Sequence, residues 1–323
     1  MNEFFQPVSG LETPRFAGMS TFMRLPHVPP GHARWPELDF GFVGVPWDGG
    51  TTNRPGARHG PRQVRDSSSM IRSAHPVRRR SPYADHNCAD LGDVPVNPAD
   101  LDDSLKRVEA FYRMLRCDGI VPITAGGDHL IALPILRGLV QEPVGMIQFD
   151  SHTDLYRGYF GGYRYTHGTP FRRAVEEGLL DPRRTVQIGL RGSMYDTEDI
   201  DFGQDQGVRM VMVEELMERG VPNVMEEARG IVGTEPIYVS FDIDFVDPAY
   251  APGTGTPEIG GPTSFQALEA VRGLSGTNVI GADMVEVSPP FDPSGGTALI
   301  GATVMFELLC AMTAGEVQGA YIE

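Results

Sequence analysis

The chain has 323 residues and a formal net charge of −16, from 43 acidic against 27 basic side chains. That balance argues against nucleic acid or an anionic membrane surface as a partner and fits a solvated acidic exterior. Hydrophobic residues make up 41%, enough for a sizeable core, and Cys88, Cys117 and Cys310 are too scattered for a disulfide framework or a CxxC site. The first residues, Met1-Asn2-Glu3-Phe4-Phe5, lack the basic and apolar regions of a signal peptide. No run approaches the roughly 20 apolar residues of a membrane span, since the best candidate, residues 298–312, contains Glu307. A soluble protein of the reducing cytoplasm is the expectation.

Residues 1–37 read as an arm, dense in proline (Pro26, Pro29, Pro30, Pro36) and without sustained periodicity. A single α/β domain is expected over residues 38–323, because strand and helix patterns alternate there, as in a parallel sheet covered on both faces. The first strand, residues 40–45, leads into a Gly-rich polar loop over 46–61, either a shaped functional loop or a long surface connection. Pro61 is well placed to open a helix through Ile71. Residues 100–117 carry Leu101, Leu105, Val108, Tyr112 and Leu115 at helical spacing, with Gly119 as a stop. A strand over 120–124 ends in Ala125-Gly126-Gly127-Asp128-His129, and a helix over 130–140 begins at once. Further strands are predicted at 144–149, 185–190, 208–213, 236–241 and 279–287. Helices fit 170–180, 223–232, 264–274 and 299–312, the third opened by a capping box of Thr263 and Gln266.

Three strand ends present metal-type ligands. His129 follows one strand; Asp150, His152 and Asp154 alternate after the apolar run 144–149; Asp242 and Asp244 close Tyr238-Val239-Ser240-Phe241-Asp242-Ile243-Asp244. In a parallel sheet these ends face one edge, where α/β enzymes place their sites. Charged side chains there are costly to bury unless something positive neutralises them. Two imidazoles and four carboxylates are enough for two ions sharing bridging carboxylates. A mixed N/O set without thiolate suits Mn²⁺, Ni²⁺, Fe²⁺ or Zn²⁺. Taken singly, Gly-Gly-Asp-His is more often a turn, and Asp-x-Asp after a strand is often a capping pair. Their coincidence on three strand ends favours metal.

Together with His167-Gly168-Thr169-Pro170-Phe171, Ala251-Pro252-Gly253-Thr254-Gly255-Thr256-Pro257-Glu258 and Glu286-Val287-Ser288-Pro289-Pro290, these motifs resemble the ureohydrolases, the arginase and agmatinase family. Within it the chain looks nearest to guanidinopropionase and guanidinobutyrase. The resemblance spans nearly the whole chain. It implies a three-layer αβα sandwich with a central, mostly parallel sheet, and hydrolysis of a small guanidino compound to urea and an amine. It implies that His129, Asp150, Asp154 and Asp242 hold one divalent ion and Asp150, His152, Asp242 and Asp244 a second, Asp150 and Asp242 bridging; Mn²⁺ is the expected metal and Ni²⁺ the alternative. Asp154 would also orient the attacking water, His167 would shuttle a proton, and Glu286 would pair with the guanidinium. A homo-oligomer, trimer or hexamer, is implied, with a mixed oligomer containing a homologous subunit as a variant.

The chain departs from the family pattern in four places. Ser151 stands where alanine is usual and Ala125 where leucine is usual; both are expected to adjust packing around the metals. Tyr156 occupies a position that is asparagine in relatives with carboxylated substrates. Tyr159-Phe160-Gly161 resembles guanidinopropionase, where guanidinobutyrase has methionine for the tyrosine. With Tyr163 and Tyr165 added, a short or apolar aromatic pocket is expected, Tyr156 and Tyr159 contacting substrate, unless these rings pack at a subunit interface. The best substrate is 3-guanidinopropionate. Guanidine, an alkylguanidine or a biguanide such as metformin is the alternative, followed by guanidinobutyrate or agmatine. A non-catalytic subunit of a mixed oligomer is the reading from another functional class.

Overall fold

A computed structural model describes residues 2–314; Met1 and residues 315–323, the last of which the sequence assigns to the catalytic domain, lie outside the described residues. Eight strands form one sheet: β1 (Phe40–Val45), β2 (Cys88–Asp93), β3 (Val121–Gly126), β4 (Val144–Phe149), β5 (Leu180–Leu190), β6 (Arg209–Met212), β7 (Ile237–Asp242) and β8 (Val279–Val285). Their order is β2-β1-β3-β8-β7-β4-β5-β6, and every pairing is parallel rather than mostly so.

Nine α-helices cover the sheet: α1 (Gly60–Ser67), α2 (Leu101–Cys117), α3 (Ala132–Leu139), α4 (Pro170–Glu176), α5 (Glu198–Gln206), α6 (Val213–Arg219), α7 (Val221–Val232), α8 (Ser264–Arg272) and α9 (Gly296–Met312) among the described residues. Alternation along the strands splits the core in two. Phe149, Phe241 and Met284 join Val224, Ala267 and Leu308 of α7, α8 and α9 on one face. Met146, Tyr238 and Val285 join Val108, Leu136 and Ala174 of α2, α3 and α4 on the other. The result is the expected three-layer sandwich. No helix among the described residues is long and apolar enough to cross a membrane.

Several boundaries differ from the sequence reading. Strand β2 is additional: it lies at the sheet edge and carries Asp90, which is buried against Arg65 at 2.8 Å and so does not read as a strand residue. Helices α5 and α6 were not expected; α5 buries only Asp199 and Gly203 and has no apolar stripe to reveal it. Helix α4 stops at Glu176 and Leu180 already opens β5. In the first 37 residues Phe5, Phe22, Met23, Leu25, Val28 and Trp35 are buried in the two cores.

Helix α9 buries one acid, Glu307, which takes an ion pair from Arg272 and a contact from His75 Nε2 at 3.1 Å. The Arg78 amide donates to His75 Nδ1 at 3.1 Å, so the ring fits as the neutral tautomer with its proton on Nε2. Burial, only partly opposed by Glu307, holds His75 below its ordinary value of 6.5. As pH falls through 6.5 the unfolded chain therefore takes up a proton that the folded chain refuses, and stability falls with pH. Urea midpoints of the chelated protein at pH 7.5 and 5.5 should drop more for the wild type than for His75→Asn. Equal drops would contradict this account.

Candidate metal centre and its pocket

Register brings the proposed ligands together. Phe149 of β4 is level with Phe241 of β7, so Asp150 and Asp242 emerge side by side. Asp242 pairs with Val285 of β8, and Ala125 of β3 with Met284, so Glu286 and the turn to His129 arrive at the same edge. Two groups of donor atoms, each within 4.8 Å of one another, result: His129, Asp150 and Asp242, and Asp150, His152 and Asp244. Asp150 is common to both. Asp154 stands beside the first group, its Oδ2 at 2.8 Å from His129 Nδ1.

One buried atom tests whether these residues fit a cation. His129 Nδ1 has no hydrogen-bond partner, although carboxylate oxygens of Asp154, Asp150 and Asp242 surround it at 2.8, 3.2 and 3.2 Å. Its other nitrogen, Nε2, contacts Ser240 Oγ at 2.7 Å, and that hydroxyl donates to Asp283 Oδ1 at 2.7 Å. Ser240 must therefore accept from Nε2–H, which leaves the Nδ1 lone pair aimed among the carboxylates. A ligand histidine oriented by a hydroxyl and a carboxylate behind it is the usual arrangement at metals. The donor set fits divalent cations.

The other ligands are braced in the same way. Asp150 Oδ1 accepts from the His152 amide at 2.7 Å and Oδ2 from Gln148 Nε2 at 2.7 Å; Gln148 is in turn fixed by Gln187 at 2.6 Å. Asp242 Oδ1 accepts from the Asp244 amide at 2.8 Å. Ser151 does more than adjust packing: its hydroxyl donates to Asp244 Oδ1 at 2.7 Å and lies 3.1 Å from His152 Nδ1.

Without metal, charge in the cluster is held by protons. Burial disfavours the imidazolium of His129, but Asp154, Asp150 and Asp242 outweigh it and lift the ring well above its ordinary range; His152 is lifted likewise, chiefly by Asp244. Burial, then repulsion from Asp244 and Asp150, pushes Asp242 well up, and burial pushes Asp154 up to about 6. Asp150 moves the other way, because His129 and His152 overcome its burial. Cations taking these places would displace the protons.

Glu286 and His167 form the opposite wall. Glu286 Oε1 accepts from the His129 amide at 2.9 Å and contacts His167 Nδ1 at 2.9 Å. The Thr52 amide donates to His167 Nε2 at 3.2 Å, so the neutral ring carries its proton on Nδ1, pointing at Glu286. Burial opposes a second proton, but Glu286, helped by Asp128 and Asp154, raises His167 to about 9. Asp154 and Glu286 both have left-handed backbone, φ 54° and 63°. Such conformations in non-glycine residues cost energy and are concentrated at functional sites.

A cavity of about 470 Å³ opens over these groups, lined also by Arg54, Tyr156, Tyr159 and Tyr195. The Tyr159 ring lies across Gly168, where an added Cβ would come within 2.5 Å of the phenol oxygen; only glycine seats it there. Burial, then Asp154, drives the Tyr159 hydroxyl up, and burial drives Tyr156 up to about 12. Tyr163 and Tyr165 do not line the cavity. Tyr163 is half exposed beyond Tyr159, and Tyr165 packs on the α2–α4 side. Tyr195, at 5.9 and 6.1 Å from Tyr156 and Tyr159, completes the aromatic rim instead.

The Gly-rich loop 46–61 proves to be part of the site. Its Gly50 amide donates to the fully buried Asp128 at 2.6 Å, Gly50 O accepts from the His167 amide at 2.9 Å, and Thr52 reaches the His167 ring. Burial, then Glu286, pushes Asp128 up to about 7. The sequence reading gave no role to Asp128, Ser240, Asp283, Arg54 or Tyr195. Ser240 and Asp283 left a signal, a polar residue inside each of two otherwise apolar strands.

A family model described as the arginase family matches residues 38–311. Guanidinopropionase of Pseudomonas aeruginosa is 57% identical over 99% of this chain and 99% of its own. Guanidinobutyrase of the same organism is 48% identical over 95% and 96%. The solved structure of proclavaminate amidino hydrolase from Streptomyces clavuligerus superposes with a TM-score of 0.88 at 38% identity, covering 93% of this chain and 99% of that one.

Proposed function

Because this chain belongs to the arginase family, we propose that it is a binuclear-metal ureohydrolase that cleaves a small guanidino compound to urea and an amine. The observation that carries the reading is the shared Asp150 carboxylate, common to two donor groups whose His129, His152 and Asp242 line one cavity with Glu286. In this reading His129, Asp150, Asp154 and Asp242 would hold one ion and Asp150, His152, Asp242 and Asp244 the other, with Mn²⁺ or Ni²⁺ as the metal. When bound, the pair would supply Lewis acidity that lowers the pKa of the attacking water toward neutrality.

The chain does the rest. Glu286 pairs its charge with the planar guanidinium; Oε1 is engaged by His129 and His167, which leaves Oε2 for the substrate. Asp154 accepts a hydrogen bond from the attacking water and aligns it with the guanidinium carbon. Collapse of the tetrahedral species expels an amine that must gain a proton. His167, carrying one on Nδ1 and contacting Thr52 Oγ1 through Nε2 at 2.8 Å, is placed to relay it.

The favoured substrate is 3-guanidinopropionate, supported by the 57% identity to guanidinopropionase and by Tyr159 over the cavity. Residues 1–37 act as an arm on a single catalytic domain. The exposed Leu11, Phe16 and Met19 of that arm support a homo-oligomer, and the free cysteines a reducing, cytoplasmic setting. The test is urea release by protein loaded with Mn²⁺ or Ni²⁺ on guanidinopropionate, guanidinobutyrate, agmatine, arginine, guanidine and metformin. Guanidinopropionate should give the highest kcat/KM, by about tenfold or more over agmatine. A preference for cationic guanidines would remove that substrate, and silence across the panel would favour a non-catalytic subunit.

A further inference from the structure

We propose that Arg54 holds the carboxylate of a short guanidino acid and so selects a zwitterionic substrate over a cationic one. The inference rests on the ureohydrolase reading of the pocket and assigns its second subsite.

The loop after β1 brings Arg54 to the cavity wall. Its guanidinium carbon lies 3.7 Å from the Phe291 ring centroid, and its Nε is buried without a hydrogen-bond partner. Among the described residues no carboxylate is within ion-pair distance of it, whereas the neighbouring Arg58 is paired with Asp48. A partly desolvated guanidinium with no anion is costly to keep, unless an anion arrives with the ligand. Stacking on Phe291 fixes the plane of the fork, and a fixed fork suits a carboxylate taken by two parallel hydrogen bonds.

Gly255 sets how near the Arg54 backbone comes to Glu286. A Cβ built there would lie 3.0 Å from the Arg54 carbonyl and 3.7 Å from Glu286 Oε2. One small residue therefore separates the Arg54 backbone from the carboxylate assigned to the guanidinium. Arg54 and Glu286 both line the cavity, so a ligand that pairs its guanidinium with Glu286 has a cationic residue on the same cavity wall for its other end.

The remaining acid on the rim does not reverse this polarity. Glu258 packs its carboxyl against Gly192 and lies in the field of Arg191. Arg191 is itself locked by the Asp244 and Glu258 carbonyls at 2.6 and 2.8 Å. Glu258 has no ion-pair partner among the described residues either, but its carboxyl is packed against Gly192, whereas the Arg54 fork is held over Phe291. An amine tail, as in agmatine, would meet an uncompensated like charge.

The test compares 3-guanidinopropionate with propylguanidine, of equal length and without the carboxylate, on protein loaded with Mn²⁺ or Ni²⁺. Arg54→Met keeps the aliphatic stem over Phe291 and removes the charge. The ratio of kcat/KM for the acid to that for propylguanidine should fall about tenfold or more, mainly through KM for the acid. Arg54→Lys should recover part of that ratio, because it restores the charge without the fork. A ratio unchanged in Arg54→Met, whether both activities fall together or neither does, would overturn the assignment. A wild-type protein that releases urea from neither compound but from another guanidine of the panel would instead overturn the guanidino-acid substrate, and silence across the whole panel the ureohydrolase reading itself.

Discussion

Asp150→Asn should lower urea release by at least about a thousandfold and leave the protein unable to retain two ions per chain. Asp150 is the carboxylate present in both donor groups, so its loss weakens two sites at once. The substitution preserves shape but not chemistry. Both oxygens accept hydrogen bonds, from the His152 amide and from Gln148 Nε2, and an asparagine NH₂ would face a donor on one side. The carboxylate also contributes, behind Asp154 and Asp244, to lifting the His129 and His152 imidazoles above their ordinary range in the metal-free protein. Steady-state kinetics, metal content after gel filtration and the melting temperature of the chelated variant together test the prediction. A folded variant that keeps two ions and near wild-type turnover would contradict it.

Glu286→Gln should lower kcat/KM about a hundred- to thousandfold, the range expected when one partner of a buried, hydrogen-bonded charge pair loses its charge. Glutamine can still accept from the His129 amide, so the wall keeps its shape while the guanidinium loses its counter-charge. A second readout follows from the contact to His167. Glu286 is the largest favourable influence raising that imidazole to about 9, so in the metal-free variant its pKa should move down. NMR titration of the ring reports the shift, and kinetics on guanidinopropionate the loss. A change in kcat/KM below about threefold would remove Glu286 from the binding role.

What the sequence made legible was the strand-end chemistry. Asp150, His152, Asp154, Asp242 and Asp244 announce themselves because charge at the end of an apolar strand is expensive, and register then carries them to one edge. The bracing behind them was less legible. Ser240 and Asp283 face the α2–α4 side through the alternation of β7 and β8, and only their pairing across two strands shows that they orient His129. Asp128 reads as part of a turn, and nothing local reveals that it fastens the loop carrying Thr52 and Arg54 over the site. Tyr195 lies far in sequence from Tyr156 and Tyr159, so its place on the rim depends on how the segment after β5 folds back. Tyr163 and Tyr165 were misassigned to the pocket for the converse reason. The turn in which Tyr163 pairs back onto Tyr159 directs neighbouring tyrosines to different surroundings.

The most direct test of the account is a titration of chelated, purified protein with Mn²⁺, and separately with Ni²⁺, following urea released from 3-guanidinopropionate. The account predicts no urea from the chelated protein, and activity that rises with added metal to a plateau at about two ions per chain with one of the two metals. Full urea release by protein shown to be metal-free, or a plateau at a single ion, would contradict the binuclear centre built on Asp150.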